Sequence, residues 1–166
     1  MMKRVGLAMI LGFLVMVPDA LGNTTRGISE LMLSGSLSTM MGNDVGPRDF
    51  YLTAGHGTFV HSSIEVGSLV SFMLNDSNEI SGTASALILF YPQSWTIKNI
   101  HSYAGLQIGI GLGSGDNPLI YGGRAGSKYF LSERGTVFIE PYYVRYEYDI
   151  GAQNEFGIST GISVLY

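Results

Sequence analysis

The sequence of 166 residues contains no cysteine, so no disulfide can brace the fold and no lipid can be attached to a cysteine. Charged residues make up only 13% of the chain, against about 25% in a typical soluble domain. No basic patch or tail is present, which argues against nucleic acid as a partner. After residue 22 no apolar run reaches the roughly 20 residues that a spanning helix needs. Without such a helix, a chain can cross a bilayer only as a closed β-barrel.

The beginning of the chain has the layout of a secretory signal peptide. A short basic start precedes an apolar run over residues 5–17, and the small residues Ala20 and Gly22 suit a cleavage site. The apolar run is short for an N-terminal membrane helix. We therefore predict that residues 1–22 are a signal peptide and that residues 23–166 form one domain.

The last eleven residues alternate between two faces. One face is mostly apolar with an aromatic at each end: Tyr166, Val164, Ile162, Thr160, Ile158 and Phe156. The residues between them are mostly small or polar: Leu165, Ser163, Gly161, Ser159 and Gly157. A tilted strand of this length spans a bilayer core of roughly 30 Å, and its aromatic ends would sit at the two interfaces. The pattern predicts a closing transmembrane strand.

Similar alternation recurs along the chain and predicts about eight strands. The predicted strands are 28–38, 50–60, 64–74, 80–91, 103–113, 122–132, 136–148 and 155–166. Turn residues separate them, and the longer connection 92–102 contains the single tryptophan. This spacing suits strands of about 9–11 residues joined by short turns. The predicted fold is all-β, an eight-stranded antiparallel up-and-down transmembrane β-barrel.

Three stretches resemble the small outer-membrane β-barrel proteins of the OmpA/OmpX-like kind. Residues 126–133 resemble their penultimate periplasmic hairpin, 140–148 the next strand, and 154–166 the closing strand. The resemblance implies an outer-membrane location and insertion by the barrel-assembly machinery, among outer-membrane lipids and lipopolysaccharide. It implies no single activity, because the group includes structural, adhesive and host-interaction proteins. We expect a monomer whose N- and C-termini are periplasmic.

With periplasmic termini, the connections alternate between the two sides of the membrane. We predict external loops at Asn43, Asp76, Asp116 and Ala152, and periplasmic turns at Ser62, Trp95 and Arg134. Seven acidic residues lie in or beside the predicted external loops: Asp44, Asp49, Asp76, Glu79, Asp116, Asp149 and Glu155. They form either a solvated acidic surface or bridges through divalent cations to neighbouring lipopolysaccharide.

Several charged residues are predicted to face the barrel interior. They are Glu30, Glu65, Arg124, Lys128, Glu140, Arg145 and Glu147. Side chains fill an eight-stranded barrel, and isolated buried charges cost several kcal/mol each, so we predict ion pairs rather than a pore lining. Glu140 and Arg145 are an odd number of residues apart, which requires a bulge at Pro141 or Tyr142 if both face inward. Tyr142, Val144, Tyr146 and Tyr148 are then predicted to face outward.

Two sets of histidine and hydroxyl residues leave a lipid-modifying enzyme as the alternative. His61, Ser63 and Glu65 offer the residue types of a lipid A deacylase, but the further motif residues around the nucleophile of those enzymes are absent. His56 with Asp76 and Ser77 resembles the trio of outer-membrane palmitoyl transferases, although residues 75–78 read as an ordinary turn. By alternation His56 faces lipid, unless a bulge near Gly55 or Gly57 turns it.

The favoured function is therefore that of a small, closed outer-membrane barrel with a structural or surface-interaction role. We predict no catalytic, metal-binding or cofactor-binding residue. A lipid-modifying enzyme of deacylase or acyltransferase type and a narrow ion-conducting pore remain the alternatives. A secreted barrel of the lipocalin type is the alternative fold, and it would need an apolar interior instead of the glycine, serine, glutamate and arginine found here.

Overall fold

The computed structural model describes residues 26–41, 49–74, 81–113, 117–149 and 151–166. Its strands are β1 (Ser29–Met41), β2 (Asp49–His61), β3 (Ile64–Leu74), β4 (Ser81–Phe90), β5 (Thr96–Ile97), β6 (Ile100–Leu112), β7 (Leu119–Phe130), β8 (Gly135–Tyr148) and β9 (Gly151–Leu165). A 3₁₀ turn, Gln93–Trp95, precedes the two-residue β5 in the connection between β4 and β6. The predicted signal peptide lies outside the described residues.

The eight long strands form a closed antiparallel barrel. The eight long strands pair in chain order, with β4 paired directly to β6 and β1 paired to β9. The short β5 pairs only with β6. Every long strand therefore has a partner on both sides, which removes the exposed edge that a flat sheet would leave. In the described ranges, no helix is long and apolar enough to cross a membrane. The predicted all-β, eight-stranded fold is confirmed.

Three strands begin three or four residues earlier than the sequence pattern predicts: β6, β9 and β7, which begins at Leu119 rather than at residue 122. β6 begins at Ile100 rather than at residue 103, because Lys98, with φ of +51°, and Asn99 make a tight turn that pairs Ile97 with Ile100. β9 begins at Gly151, which pairs with Tyr148 and has φ of +150°. The prediction of a loop at Ala152 is therefore wrong, since this residue is already in β9, paired with Glu147.

The two ends of the barrel differ. We call one the turn end: it carries the connections at 62–63, 91–99 and 131–134 and the two described chain ends near Gly27 and Tyr166. We call the opposite one the loop end. Backbone bonds of 2.9 Å run both ways between Ser29 and Tyr166, and Leu165 N–H donates to Arg134 at 2.8 Å. The predicted turns at Ser62, Trp95 and Arg134 thus share one end with both chain ends.

The outward side of the barrel is an apolar belt between two aromatic girdles. On β6, for example, Leu106 and Ile108 are 65% and 56% exposed. The turn-end girdle comprises Phe90, Tyr129 and Tyr166, and the loop-end girdle comprises Phe50, Phe72, Tyr121, Tyr143 and Phe156. Ten residues separate Phe156 from Tyr166, which is about 34 Å along a strand and roughly 26 Å at a tilt of about 40°. This height matches the apolar band of about 25 Å in outer-membrane barrels.

β8 runs without a bulge, and the prediction of one at Pro141 or Tyr142 is wrong. Its register with β9 is unbroken over the whole strand. The pairing of β8 with β7 stops at Arg124–Tyr142 and resumes at Ser127–Ile139 in the same register. Pro141, which has no N–H to donate, is therefore accommodated by a short interruption of this pairing and not by an extra residue. Among the described strand pairs, the register shifts only in β2, between Phe59 and His61.

The unbroken alternation of β8 reverses the predicted direction of several side chains. Glu140 faces inward as predicted. Arg145 and Glu147, predicted inside, face outward. Tyr142, Val144, Tyr146 and Tyr148, predicted outside, face inward. Tyr142 and Tyr146 tolerate the interior because their hydroxyl groups donate hydrogen bonds to a carboxylate there, Glu155.

We expect removal of Tyr166 to impair barrel assembly. The deletion removes a turn-end girdle aromatic and two backbone hydrogen bonds with Ser29, worth about 1–3 kcal/mol together. The measurement is the folded fraction after refolding into lipid vesicles, read from heat-modifiable electrophoretic migration. Leu131→Ser, at a 65% exposed turn residue, is the control. An equal folded fraction for the deletion and the control would contradict the prediction.

Candidate functional site

The interior of the barrel contains the largest concentration of charged and polar side chains in the described part of the chain. The inward direction predicted for Glu30, Glu65, Arg124, Lys128 and Glu140 is confirmed. Serines and threonines line much of the remaining interior wall: Ser34, Ser36, Ser38, Ser85, Thr136, Ser159 and Ser163. An apolar belt outside and a polar interior are the reverse of a lipocalin-type barrel, so that alternative fold does not apply.

Lys128 forms the centre of a buried ion cluster near the turn end. Its Nζ lies 2.6 Å from Glu30 Oε2, 3.4 Å from Glu65 Oε2 and 2.7 Å from the Tyr91 hydroxyl. Tyr91 in turn donates to Glu65 at 2.5 Å. All three donors of the ammonium group are used, and the lysine side chain is only 2% exposed. The cluster joins β1, β3, β7 and the segment that follows β4.

An apolar cluster surrounds these charges and closes the turn end. Its buried members are Phe59, Leu69, Leu87, Leu89, Tyr91, Tyr103 and Leu165, with Ile28, Met32 and Phe130 packed against them. Lys128 Nζ lies 5.2 Å from the centre of the Tyr91 ring and 5.3 Å from that of Tyr103. Because this surrounding is apolar, the ion pairs are stronger than in water, and an unpaired charge there would be costly.

A second ion pair lies between this cluster and the loop end. Arg124 Nη1 is 2.9 Å from Glu140 Oε1, and the Tyr103 hydroxyl donates to Glu140 Oε2 at 2.8 Å. Arg124 Nη2 also donates to Gln107. A cavity of about 50 Å³ adjoins Gln107, Arg124 and Glu140, enough for a few water molecules. Arg124 Nε is buried without a protein partner among the described residues, and a water in this cavity would satisfy it.

Glu155 is the buried carboxylate that the sequence pattern missed. It was predicted to lie beside an external loop, but it is 1% exposed and faces the interior. Its carboxylate accepts hydrogen bonds from Tyr142 at 2.9 Å, Tyr146 at 2.8 Å and Tyr51 at 3.3 Å. Gly157 makes room for Tyr142, whose ring a Cβ at that position would overlap. Extending the alternation of β9 from Ser159 back to Glu155 would have placed this carboxylate inside.

The first proposed hydrolase set is not assembled. His61 is exposed in the turn, where its Nδ1 accepts a hydrogen bond from the backbone N–H of Ser63 at 3.2 Å. Glu65 points to the barrel interior and is bound by Tyr91 and Lys128. The carboxylate is therefore buried in the interior and the imidazole is exposed in the turn, and the described residues show no hydrogen-bonded relay from Ser63 through His61 to Glu65.

His56 faces outward with regular pairing on both sides. Gly55 and Gly57 keep the normal register with β1 and β3, so no bulge turns the histidine inward. Its ring lies 6.3 Å from that of Tyr166, at the turn-end girdle. Asp76 and Ser77 lie outside the described residues. Leu74, the last described residue before them, pairs with Phe50, which is six residues and roughly 20 Å along β2 from His56.

The predicted acidic surface is only partly described. Asp44, Asp76, Glu79 and Asp116 lie outside the described residues, Asp49 begins β2, and Asp149 lies in the turn after β8. Within the described ranges, no group of three or more histidine, aspartate or glutamate side chains is arranged to hold a metal ion.

A closed eight-stranded barrel with an apolar belt, two aromatic girdles and an ion-paired interior has the architecture of small outer-membrane β-barrel proteins. The structure is similar to Neisserial surface protein A, with a TM-score of 0.67 and 12% identity over 85% of this chain and 100% of that one. It is also similar to outer membrane protein OprG from Pseudomonas aeruginosa, with a TM-score of 0.59 and 9% identity over 89% and 99% of the two chains.

The N-terminal β-barrel domain of Pseudomonas aeruginosa OprF gives a TM-score of 0.53 and 13% identity, over 85% of this chain and 98% of that one. No protein-family model and no curated protein matches the sequence. The resemblance to small outer-membrane barrels is thereby confirmed at the level of fold.

We expect Lys128→Met to destabilise the barrel by about 3–5 kcal/mol, because it leaves Glu30 and Glu65 buried without their cation. The measurement is urea unfolding of the refolded protein, followed by tryptophan fluorescence and heat-modifiable migration. Adding Glu30→Gln and Glu65→Gln to the same variant should restore part of the loss. Lys98→Met, in an exposed turn, should change stability by no more than about 0.5 kcal/mol. An unchanged urea midpoint for Lys128→Met would contradict the prediction.

Proposed function

We propose that this protein is a small integral outer-membrane protein with a closed interior and a structural or surface-interaction role. The observation that carries the proposal is the combination of an apolar outward belt with an interior whose charged groups are bound in ion pairs or by tyrosine hydroxyl groups. Internal ion pairs stabilise a barrel, and charges that are already paired leave few groups free to bind a solute in the lumen. The similarity in fold to Neisserial surface protein A and OprG supports the location.

The proposal of a closed interior rests on two features of the lumen. The Lys128 cluster spans the barrel from β7 to β1 and β3, with apolar side chains packed around it. Beyond it, the cavity beside Arg124 measures only about 50 Å³, and the Glu155–tyrosine group lies farther toward the loop end. A continuous water-filled path would require these groups to separate, at the cost of exposing unpaired charges.

The orientation we propose places the turn end and both chain ends in the periplasm. Two of its three connections, at 62–63 and 131–134, are short, as periplasmic turns of outer-membrane barrels usually are, and the third, 91–99, contains the 3₁₀ turn and β5 beside β6. In this orientation the connections at 42–48, 75–80 and 114–116 are external and would carry any surface interaction. We further propose that the chain is a monomer, inserted by the barrel-assembly machinery, among outer-membrane lipids and lipopolysaccharide.

A closed interior predicts that the refolded protein produces no stable conductance steps in planar lipid bilayers. The physical reason is that opening a path requires breaking the Lys128 and Arg124 ion pairs. The informative comparison is Lys128→Met carrying Glu30→Gln and Glu65→Gln, which replaces the charged cluster with neutral groups. Regular, long-lived steps from the unmodified protein would contradict a closed interior and favour the pore alternative.

Single-cysteine labelling tests the orientation, since the chain contains no native cysteine. Cysteines at Ser62 and Glu133, both exposed at the turn end, should react with a membrane-impermeant maleimide only after the outer membrane is disrupted. A cysteine at Asp116, in a predicted external loop, should react in intact cells. Labelling of Ser62→Cys in intact cells would reverse the proposed orientation.

A further inference from the structure

An ion pair lies on the outward surface of the barrel at the loop end. Arg145 Nε is 2.9 Å from Glu147 Oε2, and the Tyr121 hydroxyl donates to the same oxygen at 3.0 Å. The arginine and glutamate side chains are 39% and 45% exposed. Charged groups are unfavourable on the lipid-facing side of a barrel unless they lie near a membrane interface. The depth of these three side chains in the membrane therefore has to be established.

The aromatic neighbours of Arg145 place it at the level of lipid headgroups. It pairs directly across the strands with Tyr121, a member of the loop-end girdle. Tyr143, two residues before it on the same face, is also in this girdle, and its hydroxyl donates to Asn154 Oδ1 at 2.9 Å. Girdle aromatics lie at the boundary between acyl chains and headgroups, which is also the depth of lipid phosphates.

The guanidinium group of Arg145 retains free donors. Glu147 engages only Nε, and Nη1 and Nη2 have no partner among the residues that the structure describes. Tyr121 also donates to Glu147, so the carboxylate that binds the guanidinium is itself held by a second hydrogen bond, which restrains the arginine side chain. Arginine binds phosphate through two parallel hydrogen bonds, so a pre-oriented guanidinium is suited to a phosphate oxygen pair.

An apolar groove begins at Tyr121, the cross-strand partner of this arginine. Its outward lining consists of Ala86, Ile88, Leu106, Ile108 and Tyr121. One row of cross-strand pairs links Arg145 to Tyr121, then to Ile108, and then to Ala86. The row crosses three strand spacings, roughly 14 Å. Ala86 is four residues from Phe90 of the turn-end girdle, so the groove extends from the headgroup level into the apolar belt.

A second outward groove provides a contrast. It lies between β1 and β9 and is lined by apolar or small residues that include Leu37, Phe50, Phe156 and Ile158. No arginine or lysine adjoins it among the described residues. Of these two grooves, only the one at β4, β6 and β7 has an arginine close to it at the level of the loop-end girdle.

We propose that this groove, with Arg145 at its upper end, binds one lipid A moiety of lipopolysaccharide. A phosphate of lipid A would bind the free nitrogens of Arg145, and one acyl chain would lie along Ile108, Leu106 and Ala86. The choice of lipid A over a phospholipid rests on the orientation under the proposed function, which puts the loop end in the outer leaflet. Glu147 and Tyr121 act as positioning residues that hold the guanidinium.

Native mass spectrometry of the refolded full-length barrel, titrated with bis-phosphorylated lipid A, tests the proposal. We expect Arg145→Gln to weaken binding about tenfold, in line with the loss of charge-assisted hydrogen bonds. Arg145→Lys, which keeps the charge but not the fork, should weaken it less. Ala86→Phe, which fills the groove without changing charge, should also weaken it.

The control variants are Lys98→Gln, which removes an exposed charge at the turn end, and Ala54→Phe, which adds a ring on the outward face of β2. Both should bind lipid A within twofold of the unmodified protein.

Equal binding by Arg145→Gln, or of dephosphorylated lipid A, would overturn the phosphate site. Equal binding of phosphatidylglycerol would overturn the assignment to lipid A. Heat-modifiable migration of each sample reports folding, so a barrel that folds without binding refutes this inference and leaves the proposed function intact.

Discussion

The whole structure depends on the requirement that no backbone N–H or C=O group be left unpaired in the hydrocarbon core. The pairings of β1 with β9 and of β4 with β6 meet that requirement by joining the ends of the sheet. A strand held in register on both sides leaves its side chains only two directions, toward lipid or toward the interior. The apolar belt and the polar interior are both consequences of this closure.

Closure also determines how the interior charges are compensated. Lys128 on β7 meets carboxylates from β1 and β3 on the far side of the barrel, which no local sequence spacing brings together. The described interior holds four carboxylates and two cations, so not every carboxylate has a cation of its own. Glu155 has instead the hydroxyl groups of three tyrosines, which stabilise a buried carboxylate by hydrogen bonding alone.

Alternation alone predicted most of the strands and the inward direction of Glu30, Glu65, Arg124 and Lys128, because period-two patterning follows directly from strand geometry. Alternation was misapplied in β8. Placing Arg145 in the interior required a bulge that would shift the inward and outward alternation by one residue, and the strand has no such bulge. Tyrosine was the source of the error, since its ring and hydroxyl suit either a girdle or a polar interior. Which carboxylate meets which tyrosine depends on cross-strand register, which one strand's sequence does not contain.

The hydrogen bonds between Ser29 and Tyr166 extend the continuous antiparallel pairing of β1 with β9. These two strands are therefore paired in the same way as strands that a hairpin connects. The ring of strands therefore has no structural beginning. A circularly permuted chain, linked across these two residues and opened at the exposed turn Ser62–Ser63, would contain the same strand pairs and the same interior. What the natural order adds is kinetic: β9 is synthesised after the other seven long strands, so its pairing with β1 can form only after all of them have been made.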